Sequence, residues 1–324
     1  MAKEPDETRD GVALTSLDGP LFDGADATKR DLVDYLDAVH EVLLPGVRDR
    51  PLSVIRVRPR QKPFMQKNVP KYTPDWVRTV PVWAEASKRE VTYALCNDRR
   101  TLLWFANQRA VEYHPTLVRA DRWDRVTHLV LDLDPPEGET FSAAVAAAFL
   151  VREALSELGL TGAVKTSGAK GVHVYVPIDD QASIEDAAAA TRAIAARAAR
   201  LDPAVATTAY VKEERGGKVF VDSTRAGGAT VVAAYSPRVR PGATVSFPIG
   251  WDKLNEVTPA DFTIRTTPGL LAETPSWADQ LPSPQALPAD LIAEGHEIPI
   301  ARVVAMHEGK RRARARREAS EDTT

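Results

Sequence analysis

The chain has 324 residues, of which 44% are hydrophobic and 27% charged, and its formal net charge is −3. This length and composition predict a globular protein made of one large domain or two packed lobes. A single cysteine, Cys96, excludes an internal disulfide and a cysteine zinc cluster. Without an apolar start or a run long enough to cross a bilayer, we expect a cytoplasmic protein with no signal peptide and no membrane contact.

Strands and helices alternate along the chain. The polar start predicts a flexible segment at 1–10 and a loosely held one to about residue 20, whereas Thr28 caps a helix that Pro45 and Gly46 end. Leu102–Gln108 fits a helix or a strand. We predict strands at 52–57, 79–83, 91–95, 126–134, 164–166, 172–178, 219–222 and 230–234, and helices at about 140–158, 183–201 and 301–317.

This order predicts an α/β (α+β) fold with a central mixed β-sheet, flanking helices and a strand-rich second lobe. We expect the catalytic domain to cover residues 11–300 and a basic helix or tail to cover 301–324. The sheet is expected to carry the functional site, because ligand clefts form at strand ends of such sheets.

Two aspartates, Asp132 and Asp134, end a hydrophobic run. Residues i and i+2 of a strand point to the same face, so both carboxylates face one spot. Asp222 ends a second hydrophobic run. Three strand-end carboxylates suit Mg²⁺ or Mn²⁺ and predict metal-dependent phosphoryl or nucleotidyl transfer. An Asp-x-Asp pair alone is weak evidence for a metal site, because acidic residues also end strands where the chain emerges into water.

A glycine-flanked turn, Ser167–Gly171, joins two predicted strands. Its glycines let backbone amides approach a phosphate, Lys170 adds a positive charge, and Ser167 and His173 add hydrogen-bond donors. The spacing of a Walker loop is absent. The turn is therefore either a phosphate cradle or an ordinary hairpin turn with a solvated lysine.

Positive charge is concentrated in two stretches. The stretch from Arg48 to Arg78 holds nine basic and two acidic residues and predicts a phosphate-facing surface. Lys310–Arg317 is a second basic cluster, for which a solvated helix end or a frayed tail is at least as good an interpretation as a nucleic-acid-binding arm.

Taken together, the motifs at 131–135, 166–173 and 220–222 resemble the three catalytic motifs of the archaeo-eukaryotic primase superfamily. More narrowly, they resemble the polymerase domain of bacterial ligase D, which acts in end-joining repair. The resemblance runs from about Gly11 to Leu281. Further matching stretches lie at 28–32, 63–67, 74–78, 106–115 and 234–241.

The resemblance implies a template-dependent primase-polymerase that adds nucleotides, preferably ribonucleotides, to 3′-hydroxyl ends during gap filling or end joining. It implies that Asp132, Asp134 and Asp222 are the catalytic residues and hold two Mn²⁺ or Mg²⁺ ions. The substrate would be an NTP or dNTP. The primer hydroxyl would attack the α-phosphate in line, with one ion lowering the pKa of the hydroxyl and the other neutralising the pyrophosphate.

The resemblance also assigns residues to the nucleotide and to DNA. Phe64 matches a residue that stacks on bases, and Lys29 matches a lysine that receives the 5′-phosphate beyond a gap. The start of the first helix would favour that anion. His114 is, by itself, equally a core histidine bonded to backbone. The implied nucleotide-binding residues are Phe64, His114, Ser167, Lys170, His173 and Arg238.

Two positions depart from the family pattern. Met65 replaces a second phenylalanine, which makes one stacking surface softer. Arg225 follows Asp222 where a small polar amide is common. The resemblance does not decide whether Arg56 or Arg58 is the family's nucleotide-contacting basic residue.

The expected partner is DNA with a gap, a primer-template junction or a double-strand break, and the expected location is the nucleoid. Because the sequence shows no ligase or nuclease domain, we expect an end-bridging protein or a separate ligase to act in trans. Two alternatives remain: a catalytically weak DNA-end or gap binder, and another metal-dependent phosphotransferase. A phosphatase of the haloacid-dehalogenase type would need a hydroxyl residue where Pro136 stands.

Overall fold

The computed structural model describes residues 4–84, 88–138, 140–227 and 229–300. The expected basic helix or tail at 301–324 lies outside these residues. The helices are α1 (Lys29–Ala38), α2 (His40–Val47), α3 (Arg99–Asn107), α4 (Phe141–Glu157), α5 (Ile184–Leu201), α6 (Thr267–Leu270), α7 (Trp277–Gln280) and α8 (Ala289–Glu297). The strands are β1 (Glu7–Arg9), β2 (Val12–Leu14), β3 (Leu52–Arg56), β4 (Phe64–Gln66), β5 (Thr79–Ala84), β6 (Arg89–Ala94), β7 (Ala110–Pro115), β8 (Val118–Arg119), β9 (Arg122–Val126), β10 (His128–Asp134), β11 (Ala163–Thr166), β12 (Val172–Pro177), β13 (Ala206–Thr207), β14 (Val219–Asp222) and β15 (Pro248–Ile249).

Six strands form the sheet that carries the aspartates, in the order β13-β14-β10-β12-β11-β15. Its neighbouring strands are antiparallel, apart from the parallel pair β13 and β14. A second sheet has the order β4-β3-β6-β5, and β7 also pairs with β3. The predicted mixed sheet and strand-rich second lobe are therefore confirmed.

Hydrophobic residues on alternate positions hold β10 in the core. Leu129, Leu131 and Leu133 are fully buried. The alanine-rich helices α4 and α5 pack against each other and against this strand. Small side chains let helices approach closely, so β10 is held firmly while its last residues reach the sheet edge. None of the helices in the described ranges is both long and apolar enough to span a bilayer.

The segment between β14 and β15 connects the two sheets. Val231 and Ala233 donate their backbone N–H groups to Pro115 and Tyr113 of β7, while Thr166 of β11 donates to the carbonyl of Phe247. The predicted strand at 230–234 is wrong, because alternate residues bond to β7 without forming a continuous ladder. Both sheets are thus fixed to one irregular segment.

The N-terminal segment is more ordered than its polar composition predicts. Strands β1 and β2 pair through Glu7 and Leu14, and the side chains of Leu14 and Leu17 are fully buried. Residues 7–14 therefore form a paired hairpin, whereas the flexibility expected at residues 1–10 stays a prediction. Burial of two leucines outweighs the polar residues between them.

The first predicted helix is divided in two. Thr28 forms a capping box with Asp31 at the start of α1, as its residue type predicts. Val39 then separates α1 from α2, which includes Pro45 and ends at Val47. The ambiguous segment Leu102–Gln108 lies largely in α3, whose start is capped by Asp98.

We predict that Gly295→Ala lowers the free energy of unfolding by about 3 kcal/mol, near the upper end of the usual cost of overpacking. A methyl group on Gly295 in α8 would lie 1.9 Å from the carbonyl oxygen of Ala189 in α5. Urea denaturation measures the effect. Gly269→Ala in α6 is the control, since no heavy atom lies within 4 Å of its added methyl group. Equal stability of the two variants would contradict the close α5–α8 contact.

Candidate active site

A row of four polar side chains crosses four adjacent strands. Asp132 of β10 lies directly opposite Asp222 of β14 on one side and His173 of β12 on the other. His173 in turn lies opposite Lys165 of β11. Because directly opposite residues share a face, this register places all four side chains on one face of the sheet. All four residues are buried.

Arg225 bridges the two aspartates of this row. Its Nη2 atom lies 2.6 Å from Oδ2 of Asp132 and 3.0 Å from Oδ2 of Asp222. Thr224 donates its backbone N–H and its hydroxyl to Oδ1 of Asp222, at 2.8 and 2.7 Å. The two carboxylates thus share one cation.

His173 supports Asp132 from the other side. Its Nε2 lies 3.1 Å from Oδ1 of Asp132, and the ammonium of Lys165 lies 2.9 Å from its Nδ1. With Lys165 donating to Nδ1, the hydrogen on Nε2 is assigned to the bond with Asp132. Burial and then the charge of Lys165 lower the pKa of His173 to about 4. The imidazole is therefore neutral, and both of its ring nitrogens are used within the row. Its expected contact with the nucleotide's phosphates stays a prediction.

Asp134 lies one pleat further along the same face but lacks a cation of its own. None of the cationic side chains that the structure describes makes an ion pair with it. Burial and the charges of Asp132 and Asp222 raise the pKa of Asp134 to about 6. In contrast, His173 and Arg225 overcome the effect of burial and lower the pKa of Asp132. Negative charge is therefore least compensated at Asp134.

The Ser167–Gly171 turn packs against the end of β10. Ser167 Oγ accepts the backbone N–H groups of Ala169 and Gly171, at 3.2 and 3.0 Å. A Cβ atom at Gly171 would lie 2.4 Å from the carbonyl oxygen of Leu133, and one at Gly168, where φ is +68°, would lie 2.7 Å from Arg238 Cγ. Both glycines are thus required by close contacts. Ser167 shapes the turn, while the exposed Lys170 points away from the core.

Glu112 joins two of the predicted nucleotide-binding residues. Its Oε2 lies 2.8 Å from Nε2 of His114 and 3.1 Å from Nε of Arg238, the latter an ion-pair contact without a hydrogen bond. Arg238 also donates to the carbonyl of Ser167. Against the effect of burial, His114, Arg238 and the N–H of Val239 lower the pKa of Glu112 to about 2. This carboxylate therefore fixes His114 and Arg238 beside the turn.

Phe64 lies on the second sheet, under two cations. The guanidinium carbons of Arg58 and Arg56 lie 4.8 and 5.7 Å from its ring centroid. Arg56 is buried and donates to Gln66 and to both oxygens of Gln108, whereas Arg58 is exposed. Arg58 is thus the one of the two that remains accessible to a ligand.

Lys29 does not present its ammonium group to solvent. The residue is 3% exposed, and its Nζ donates to the carbonyl of Thr15 at 2.5 Å and to Oδ1 of Asn107 at 2.6 Å. The expected contact with a 5′-phosphate stays a prediction. Through these two hydrogen bonds Lys29 connects α1 to the N-terminal segment and α3, and a phosphate would have to displace them.

An open cleft of about 700 Å³ lies beside the turn. Lys170, Lys212 and Arg240 supply positive charge to its lining, and Glu137 supplies one negative charge. The backbone of Gly168 also lines it. The cleft therefore offers three cations and a glycine turn to an anionic ligand.

The three aspartates have the oxygen ligands that a divalent metal ion needs. Their positions in this structure, however, do not form a metal site. Carboxylate oxygens are the ligands that Mg²⁺ and Mn²⁺ prefer, and burial, followed by the charge of the neighbouring Asp132, raises the pKa of Asp134. Yet within the described ranges no group of three or more His, Cys, Asp or Glu side chains is gathered as a metal site. Arg225 lies between two of the aspartates and provides the cation instead.

The roles of three residues of the site cannot be predicted from the sequence. Glu112 and Lys165 are charged residues inside strands, and nothing in their local sequence shows which side chains they meet. The sequence marks Arg225 only as a departure from the family pattern. Its ion pairs depend on a turn after β14 that the sequence does not specify.

Comparison with known proteins places this geometry in a family. A model of the LigD primase-polymerase domain matches residues 28–277. The chain belongs to the LigD primase-polymerase domain family. Among the solved structures that resemble it, the polymerase domain from Mycobacterium tuberculosis ligase D, in complex with DNA, has a TM-score of 0.76 and 32% sequence identity, and the match covers 83% of this chain and 97% of that one.

Full-length LigD proteins are longer than this chain. The bifunctional non-homologous end joining protein LigD of Bacillus subtilis is 35% identical over 260 residues, which cover 79% of this chain and 41% of the relative. The multifunctional LigD of Mycobacterium bovis is 33% identical over 261 residues, with coverage of 76% and 34%. The chain thus matches well under half the length of these LigD proteins.

We predict that Glu112→Gln lowers the free energy of unfolding by about 3 kcal/mol, because it leaves Arg238 without its buried counter-charge. Urea denaturation measures the change. Glu256→Gln is the matched control, since Glu256 pairs with Lys253 on the exposed surface and should contribute little. If both variants lose the same stability, Glu112 does not organise this part of the site.

Proposed function

We propose that this chain is a template-dependent nucleotidyltransferase, a primase-polymerase that adds nucleotides to 3′-hydroxyl ends during gap filling or end-joining repair. The observation that carries the proposal is the placement of Asp132, Asp134 and Asp222 on one sheet face beside the Ser167–Gly171 turn, in a chain of the LigD primase-polymerase family. A preference for ribonucleotides and for manganese belongs to the same proposal.

Asp132, Asp134 and Asp222 would hold the metal ions. Such ions, Mn²⁺ or Mg²⁺, supply charge stabilisation for nucleotidyl transfer and lower the pKa of the attacking hydroxyl. The protein's own contribution is to fix the ligands. Strand pairing sets Asp132 opposite Asp222, and His173 orients Asp132 through Oδ1. Asp134, whose charge is least compensated, lies on the same sheet face, two residues beyond Asp132 at the end of β10.

The incoming nucleotide would bind in the cleft beside the turn. Lys170 is exposed at the turn and lines the cleft, where a point charge attracts a phosphate. Arg238 and His114 are held nearby by Glu112, and Ser167 keeps its hydroxyl hydrogen free to be donated, because its oxygen serves as acceptor within the turn. His173 orients Asp132, and its contact with the nucleotide's phosphates stays a prediction.

DNA would bind along the exposed surface of the second sheet. Phe64 offers a ring for base stacking, with the accessible Arg58 above it, and Met65 is 46% exposed beside it. The exposed cations around this surface are Arg58, Arg60, Lys62, Lys67 and Lys71. This arrangement of aromatic and basic side chains fits a nucleic acid backbone and its bases. The related polymerase domain from M. tuberculosis ligase D was solved with DNA.

A catalytically weak DNA-end or gap binder is the second candidate. The pairing of Arg225 with Asp132 and Asp222 favours it, because this pairing already compensates two of the proposed ligands. Both candidates would bind DNA, and both leave open an end-bridging protein or a separate ligase as partner. Primer extension on a gapped duplex, with each nucleotide type and each metal, distinguishes them.

We predict that Asp134→Asn and Asp222→Asn each abolish primer extension while much of the DNA affinity remains. Each change removes a charged oxygen ligand and little packing. Extension is measured beside DNA binding on the same gapped duplex. Asp121→Asn, in an exposed ion pair, is the control and should extend normally. Extension near the wild-type rate by either active-site variant would refute the metal assignment.

We predict that Lys170→Ala raises the KM for the nucleotide about tenfold, since a hydrogen bond to a charged group contributes about 1.5–3 kcal/mol. Steady-state extension at increasing nucleotide concentration measures it. Lys253→Ala, which removes an exposed lysine elsewhere, should leave KM unchanged. An unchanged KM in Lys170→Ala would place the triphosphate away from the turn.

A further inference from the structure

One nitrogen atom of Arg225 occupies the position that a metal ion bound to both Asp132 and Asp222 would take. Nη2 is 2.6 Å from Asp132 Oδ2 and 3.0 Å from Asp222 Oδ2. The two aspartates lie directly opposite each other across β10 and β14. A divalent ion bound to both carboxylates would therefore compete for the position of the guanidinium.

The four oxygens of the two carboxylates are all engaged. One oxygen of Asp132 meets His173 and one oxygen of Asp222 accepts from Thr224. The remaining oxygen of each aspartate meets Arg225. Withdrawal of this one side chain thus frees an oxygen on both aspartates at once and leaves the other two bonds in place.

Arg225 can withdraw at small structural cost. Its side chain is 27% exposed, whereas those of Asp132 and Asp222 are 12% and 10% exposed. It follows the last residue of β14, in a short turn of 3₁₀ helix at Arg225–Gly227, so its movement need not break the sheet. Its Nε is buried without a hydrogen-bond partner in the described part of the chain, so this atom gives up no such bond.

The other cation of the row cannot leave in the same way. Lys165 is fully buried, and its ammonium is bound to His173 at 2.9 Å and to Ser246 Oγ at 2.5 Å. It contacts His173 and not Asp132, on which it acts through its charge. Of the two cations, Arg225 alone touches the carboxylates and reaches solvent.

We infer that Arg225 is a resident counter-cation that competes with divalent metal for Asp132 and Asp222 and withdraws when metal binds. The inference rests on the proposed function, since it takes these aspartates as metal ligands. Arg225 neutralises the crowded carboxylates in the metal-free protein. The apparent dissociation constant for metal then equals the intrinsic one divided by the fraction of molecules in which Arg225 has withdrawn.

Binding of Mn²⁺ to the full chain, without nucleotide or DNA, tests the inference. Free Mn²⁺ is measured by electron paramagnetic resonance during titration. We expect Arg225→Gln, which keeps a polar side chain but no charge, to bind Mn²⁺ about tenfold more tightly than the wild type. This corresponds to a withdrawn fraction of about one tenth in the wild type. Arg225→Lys keeps the charge and should lie closer to the wild type.

Arg215→Gln is the matched control. It removes one positive charge near the same strand, because the Arg215 guanidinium lies 3.9 Å from the Phe220 ring, but its hydrogen bonds go to the carbonyls of Ala209 and Tyr210. Its affinity for Mn²⁺ should equal that of the wild type. An increase as large as that of Arg225→Gln would mean that net charge alone governs binding, and would overturn the inference.

A second substitution separates this inference from the proposed function. Asp132→Asn should abolish tight Mn²⁺ binding in both the wild-type and the Arg225→Gln background. If it does so while Arg225→Gln binds Mn²⁺ no better than the wild type, the proposed metal site stands and the competition is refuted. If Asp132→Asn changes Mn²⁺ binding in neither background, the metal site itself is refuted.

Thermal unfolding gives a readout that does not require metal affinity to be measured. In EDTA, Arg225→Gln should unfold at a lower Tm than the wild type, because the carboxylates lose their cation, and Mn²⁺ should raise its Tm by more. Equal shifts with Mn²⁺ would contradict the inference. Should Arg225→Gln not fold, hydrogen exchange of the Arg225 Nε–H in the wild type decides: Mg²⁺ should accelerate it, and unchanged exchange at saturating Mg²⁺ would refute withdrawal.

Discussion

The antiparallel register of β14, β10 and β12 is the constraint on which the site depends. It sets Asp222, Asp132 and His173 opposite one another, and the pairing of β11 adds Lys165 to the same row. A slip of one residue would turn the whole strand over, burying carboxylates in the core and presenting leucines to the cleft. The hydrophobic alternation of β10, packed under α4 and α5, prevents that slip. Core packing therefore positions the charged groups.

Close contacts extend this order from the strands to the turn and the second sheet. Gly171 packs on the Leu133 carbonyl, between the two aspartates of β10, and Gly168 packs on Arg238. Arg238 and His114 meet at Glu112, which belongs to β7 of the second sheet. Displacing any one of these groups would move the Ser167–Gly171 turn, Arg238 or His114 relative to the aspartates. This explains why buried charge, costly by itself, is retained here in a hydrogen-bonded network.

Short sequence patterns predict those features of the structure that depend on interactions between residues near each other in the chain. Strand β14 ends at Asp222 as predicted, and Thr28 caps α1, because hydrophobic periodicity and capping act within a few residues. Burial of Lys29, the partners of Glu112 and the bridge made by Arg225 depend on segments that are distant in sequence. No local pattern records such contacts. The strand expected at 230–234 failed for the same reason, since its hydrogen bonds go alternately to a distant strand.

The net charge of −3 conceals how unevenly charge is compensated at the site. Asp132 lies between His173, backed by the buried Lys165, and the guanidinium of Arg225. Asp134, two residues further along the same face, makes no ion pair with a described cation, and burial together with the charges of Asp132 and Asp222 raises its pKa to about 6. Because two carboxylates so near to each other repel, the row gains most from an added cation at its open end. The field that would attract a metal ion is thus created by burial and strand register, with little help from the total charge of the protein.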